Sequence, residues 1–328
     1  MTRSRSRPAL RAIALAACLC RPGLSAGQSG SAGEGALELL MPTGARAIGM
    51  GQAAVASTTG TDAIWWNPAL VARPGERELS YLFAQSFFVQ NDNTITAVVP
   101  ISGVGSMAVS LRDIDYGEQE ATDVFGPTGL LSPRTLIAIA TFGAATGPLS
   151  FGLSFKFYRQ TFLCSGECPS APHRSPSTSA LDLGASYART LGRHRLVIGA
   201  STVNLGRSLQ VIDAPQADPL PSRVQLGVAL VPRIARLPAD ASLRVACDAV
   251  FRPNGVGSPG LRTGGEFDWK SRYQLRAGYA LNSAIGSGLS IGVGMRTGKL
   301  QLDLARFMSD VTVSTGGSPT YLTLRYTF

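Results

Sequence analysis

Histidine is almost missing from this chain: His173 and His194 are the only two in 328 residues. One lies in a polar stretch and the other beside a tight turn, and neither has a nucleophile and an acid near it in an arrangement that performs acid–base chemistry. No catalytic residue and no cofactor is therefore expected. Charge is also sparse, at 16% of residues. No lysine-rich tract or run of interleaved stacking aromatics occurs, so nucleic acid is not an expected partner. Long apolar runs are lacking too: beyond the leader no stretch has 18 uninterrupted apolar residues, which excludes transmembrane helices. With 37 glycines and 20 prolines, long soluble helices are disfavoured as well, yet 45% hydrophobic residues is far too many for a disordered chain. The apolar residues must be spread out in alternation, as β-structure spreads them.

The first residues read as a secretory signal peptide, 1–26: a basic start (Arg3, Arg5, Arg7, Arg11), an apolar core from Ala12 to Cys20, and a small-residue end at Leu24-Ser25-Ala26. A second reading takes Leu15-Ala16-Ala17-Cys18 as a lipobox, with Cys18 lipidated. Five arginines, 3, 5, 7, 11 and 21, belong to this leader, so the formal charge of +9 overstates the basicity of the mature chain. In the oxidising compartment that a leader implies, Cys164 and Cys168 are expected to form a disulfide across an external loop rather than a zinc site with His173, and no metal is expected.

Alternation then dominates. Leu149, Phe151, Leu153, Phe155 and Phe157 alternate with Ser150, Gly152, Ser154, Lys156 and Tyr158, and Leu289, Ile291, Val293 and Met295 alternate with Ser290, Gly292, Gly294 and Arg296. Similar segments lie near 79–89, 93–101, 105–113, 134–145, 180–190, 194–204, 222–231, 241–251, 261–269, 272–281, 299–307 and 319–328. Each runs roughly 9–12 residues, the length of a tilted strand crossing a bilayer, whereas strands of soluble sandwiches are shorter. Connections at 102–104, 146–148, 191–193, 270–271 and 297–298 are tight, while 114–133, 161–179, 205–221, 252–260 and 308–318 are long. Segments 90–92 (short) and 232–240 (long) depart from this order. Short turns on one rim and long loops on the other are the asymmetry of an outer-membrane barrel. The fold class is thus all-β, an outer-membrane antiparallel β-barrel of about fourteen strands over 78–328, in contact with outer-membrane lipid. Its last strand, Tyr321 to Phe328, ends on Tyr326 and Phe328. Such an ending resembles the closing strand of bacterial outer-membrane barrels, where it is the recognition signal for the barrel-assembly machinery.

Residues 27–77 do not alternate. They contain the run GARAIGMGQAAVASTTGTDAIWWNPALVA, which includes Gly44, Arg46, Gly49, Gly51, Asp62, Trp65, Trp66, Asn67 and Pro68. That run resembles the N-terminal signature of PorV/PorQ-type outer-membrane proteins, within the wider FadL-like β-barrel superfamily. The resemblance implies an N-terminal plug folded partly inside the barrel; a helical arm outside the pore is the other possibility. Two places depart from the signature: Asp62 stands where paired acids are usual, and Leu70 replaces a glycine. For function, the PorV/PorQ resemblance implies a non-enzymatic component of a protein secretion or surface-attachment system (type IX-like), with exported proteins or secretion-system components as partners. The alternative, from the wider superfamily, is a transporter of long-chain fatty acids or other hydrophobic small molecules.

Parity assigns an interior. Arg112, Lys156, Arg223, Arg244, Arg276, Arg296 and Arg325 fall on the polar face, against Asp182, Asp248, Asp303 and Glu266. Such an interior would either attract an anion or pair its charges across strands and with the plug. Cys247 shares parity with Leu243, Val245 and Phe251 and is expected to face lipid.

Overall fold

The computed structural model describes residues 33–73, 75–86, 89–168, 175–210, 217–253, 258–314 and 317–328. The leader, Cys18 and His173 lie outside the described residues. Among the described residues fifteen strands follow one another: β1 Glu78–Gln85, β2 Asn91–Ile101, β3 Gly105–Asp115, β4 Gln119–Asp123, β5 Gly126–Thr146, β6 Leu149–Gly166, β7 Ser177–Leu191, β8 His194–Gly206, β9 Arg223–Val231, β10 Ala241–Phe251, β11 Gly260–Trp269, β12 Tyr273–Ser283, β13 Gly286–Thr297, β14 Leu300–Ser309 and β15 Thr320–Thr327. Each pairs antiparallel with its neighbours, except that β3 pairs directly with β5 and leaves β4 outside the wall. β15 pairs with β1, from Thr320↔Gln85 to Thr327↔Glu78, and closes the sheet into a 14-strand barrel without edges.

The membrane explains the period-2 pattern. A strand in the wall has lipid on one side and the interior on the other, so successive residues must differ in polarity. Phe151 is 52% exposed and Ser154 is 0% exposed, on opposite faces of β6. Leu226, Leu275 and Ile291 face outward and Cys247 is half-buried on the same parity as Val245. Turns on one rim are short, and in two of them Gly147 and Gly192 hold left-handed φ of 54° and 61°, which a side chain would resist. Both ends of the wall, Glu78 and Thr327, sit at this short-turn, periplasmic rim.

Two parts of the loop rim differ from the sequence expectation. Strands β5 and β6 run far past the wall, their pairing continuing from Arg134↔Thr161 to Gly129↔Gly166, and β4 adds to the free side of β5. This projecting sheet occupies much of the stretches expected to be loops, 114–133 and 161–179. Beyond the bilayer both faces are wet, so the hydrogen-bonded ladder persists there without an alternating pattern to announce it. A disulfide joins Cys164 to Cys168 at its end. The β12–β13 connection, on the same rim, is only Ala284 and Ile285.

Gly33 to Arg73 packs against the inward faces of the wall. It comprises single helical turns, Leu37–Leu40, Ala45–Gly49, Gly60–Asp62, Ala63–Trp66 and Pro68–Ala72. Asn67 starts the last of them, its side chain accepting from the Ala69 N–H, with Pro68 in the first position. Ile64 and Val71 bury against Val98, Ile137 and Tyr158, and Ala45 and Ile48 against Leu82, Phe307 and Tyr321. Small residues let the segment lie close to the wall. A Cβ on Gly51 would meet the Thr263 carbonyl oxygen at 2.4 Å, and one on Gly49 would fall 3.1 Å from Gly292 Cα.

Candidate binding site

Glycines on the inward face of the wall form the bed on which the segment lies. A Cβ at Gly152 would stand 2.2 Å from Pro68, at Gly199 2.3 Å from the Val55 carbonyl oxygen, at Gly264 2.1 Å from the Met50 carbonyl oxygen and at Gly278 2.3 Å from the Gly51 nitrogen. These positions carry the polar parity in the sequence, which is the signal that could have found them.

Ion pairs hold the segment in place. Arg46 donates through Nε and Nη2 to Glu266 at 2.8 Å each, and Arg276 bridges Glu266 and Asp303 at 2.7 Å each. Arg325 reaches Asp62 at 2.9 Å and Glu78 at 3.0 Å. Burial raises the Asp62 carboxyl above its ordinary range, and Arg325 opposes that shift. Asp248 accepts the Ala54 and Val55 N–H groups at 2.6 and 2.8 Å. Arg112 grips Asp92 with two nitrogens, donates to the Met41 carbonyl at 3.0 Å, and lies 5.3 Å above the Trp65 ring. Lys156 pairs with Asp182 at 2.7 Å, and Arg223 takes both carboxylate oxygens of Glu34 at 2.7 Å. Glu38 accepts from Tyr116 and Tyr158, at 2.7 and 2.9 Å. Asn67 donates to the Val55 carbonyl at 2.9 Å, and Trp66 Nε1 to the Thr43 carbonyl at 3.0 Å. The sequence pattern singles out neither Glu34 nor Glu38, and for Asp92 the signal is the inward parity it shares with Thr94 and Thr96.

Parity assigns seven basic residues to the interior. Arg112, Lys156, Arg223, Arg276 and Arg325 are buried and carboxylate-paired there. Arg296 is a correction: it keeps the inward parity but is exposed at the short-turn rim, where it donates to Gln301 at 2.6 Å. Its place at the end of β13 puts it in the open mouth rather than the lumen. Arg244 is half-buried, donates to the Ser57 carbonyl at 2.8 Å, and stands 3.9 Å from Glu266. Tyr326 and Phe328 face outward at the same rim, their rings meeting edge to face at 4.9 Å. His194 accepts the Arg233 N–H at 3.2 Å on the exposed rim.

Toward the long loops the interior opens into a small pocket. Leu39, Leu40, Met41, Trp65 and Trp66 of the segment form one side, and Val203 and Val250 the other. Lys156, Arg223, Arg252 and Arg262 edge it, and Arg262 lies 5.3 Å over the Trp66 ring. Thr43, Gln225 and Asn282 complete a lining that is part apolar and part polar.

No protein-family model matches the chain, and no curated protein matches it in sequence. Solved structures do resemble it. The toluene transporter TbuX of Ralstonia pickettii superposes with a TM-score of 0.55 at 13% identity, over 88% of this chain and 99% of that one. The Pseudomonas putida toluene transporter TodX gives 0.56 at 12% identity, over 88% and 99%. A FadL homologue of Pseudomonas aeruginosa gives 0.50 at 11%, over 87% and 98%. The chain has the fold of the FadL/TodX-type outer-membrane barrels. It is a bacterial outer-membrane protein, and its structural neighbours are channels rather than enzymes.

Proposed function

We propose that this protein is an outer-membrane channel for hydrophobic small molecules, monoaromatic hydrocarbons or fatty acids, which enter at the loop rim and pass the N-terminal segment. The segment is then a plug. The observation that carries this reading is the small pocket between Trp65, Trp66 and the wall, where apolar side chains of the segment and of the wall meet beside four cations. Likeness to toluene transporters over nearly the whole of both chains supports it. Because the segment touches the wall through glycines, a solute reaching the periplasm requires it to shift, which means that some of its ion pairs part.

The PorV/PorQ-like reading, a secretion component with exported proteins as partners, rests on the N-terminal run GARAIGMG and WWNPAL. Titration of the purified protein with toluene or a long-chain fatty acid separates the two. A saturable change in tryptophan fluorescence is expected, lost when Trp65→Phe and Trp66→Phe are combined so that only Trp269 on the wall reports. No fluorescence response, with exported proteins co-purifying instead, would overturn the transport reading.

A further inference from the structure

The short-turn rim carries a second, small pocket, open to solvent, with an apolar floor formed by Ala56, Ala69, Leu70, Val197, Ala229 and Val231. Arg73, Arg195 and Arg244 reach into it, and no acidic side chain lines it. Two of the guanidiniums are fixed by neutral acceptors. Arg73 donates through Nε to Ser150 Oγ at 3.0 Å and through Nη2 to the Gly147 and Leu149 carbonyls, and Arg244 donates to the Ser57 carbonyl. Among the described residues no ion pair joins Arg73 or Arg195 to a carboxylate. The nearest acid to Arg244, Glu266 at 3.9 Å, is already engaged by Arg46 and Arg276. Carbonyl oxygens orient a guanidinium without neutralising it, so three like charges converge on one cavity. The wall arginines Arg112, Arg223, Arg276 and Arg325, by contrast, each meet a carboxylate. This departure leaves a place for an anion, and the floor beneath it suits an alkyl chain.

We propose that this pocket binds an amphiphilic anion from the periplasmic side, its carboxylate or phosphate head between Arg73, Arg195 and Arg244 and its alkyl chain along Ala69, Leu70, Val197 and Val231. The site is independent of the transport reading, since it lies at the opposite rim from Trp65 and Trp66.

Decanoate is the probe, with the full chain in lipid nanodiscs and binding followed by calorimetry against empty discs. Wild type binds decanoate saturably at this rim, beside any binding at Trp65 and Trp66, and Arg73→Gln with Arg195→Gln weakens the rim binding about tenfold or more, as the loss of charge-assisted hydrogen bonds requires. Decyl phosphate binds as decanoate does if the shared anionic chemistry is what is read. Decanol, with the same tail and no charge, binds no better to wild type than decanoate does to the double variant. Arg195→Gln alone, at an exposed position, carries the same expectation should the double variant fail to fold. The folded Arg195→Gln protein should keep the tryptophan response of wild type to toluene, since Arg195 lies at the rim opposite Trp65 and Trp66. Equal decanoate binding by wild type and a folded Arg195→Gln protein, or decanol binding as tightly as decanoate, would overturn the proposal.

Discussion

Three arginines meet at Glu266. It accepts from Arg46 of the N-terminal segment and Arg276 of the wall, and it is buried. Removing its charge leaves Arg46 in the interior without its carboxylate partner and Arg276 with Asp303 alone, which costs far more than the pair itself contributed. Glu266→Gln should therefore destabilise the barrel by about 3 kcal/mol in urea titrations of folding into lipid vesicles. Arg134 offers the comparison: its bond to Asp115 at 2.9 Å lies on the projecting sheet, with the arginine side chain 53% exposed. There solvent screens the charges, and Arg134→Gln should cost less than about 1 kcal/mol. Equal losses at the two sites would contradict the assignment of Glu266 to a buried network. Half of this network is legible in the sequence. Parity puts Arg276, Arg325 and Glu266 on the inward face, but partners on a non-alternating segment, Arg46, Asp62, Glu34 and Glu38, have no period to locate them against a wall that lies far off in the chain.

Strands are the most legible elements, for a physical reason. A bilayer on one side and a packed interior on the other impose strict alternation, and the wall strands follow the pattern closely from β1 to β15. Where the constraint ends, legibility ends: the extensions of β5 and β6 and the whole of β4 carry no period that separates them from loop. The inward glycines are ambiguous for another reason, since a glycine marks a turn as well as a close approach. Neighbouring Gly264 and Gly265 of β11 separate these roles. A Cβ at 264 would strike the Met50 carbonyl oxygen at 2.1 Å, whereas at 265 the nearest atom is 3.7 Å away. Gly264→Val should lift the stretch around Met50 off the wall and open Arg46 to trypsin, while Gly265→Val leaves Arg46 protected. Both variants should still migrate as folded, heat-modifiable barrels. Protection of Arg46 in a folded Gly264→Val protein would show that the segment does not depend on this contact.

At the scale of the molecule, a closed wall surrounds a segment tied to it on nearly all sides, through Arg46, Asp62, Asn67 and the backbone at Ala45, which donates to Thr323 at 3.0 Å. A pocket opens at each rim and the segment lies between them. The transport proposed above and an interior occupied by the segment agree only if the segment moves. The direct measurement is to tie it down. The Ala45 N–H lies 3.0 Å from Thr323 Oγ1, so Ala45→Cys with Thr323→Cys can be joined by a short bis-methanethiosulfonate reagent, whose reducible disulfide bridge fastens the Ala45–Gly49 turn to β15. Uptake of a labelled hydrophobic solute is then followed in cells carrying the double variant, cross-linked or reduced, beside wild type under the same conditions. The account expects uptake to fall to the level of cells without the protein when the bridge is closed and to return on reduction, with wild type indifferent to both treatments. Uptake by the fully cross-linked barrel as fast as by the reduced one would contradict it.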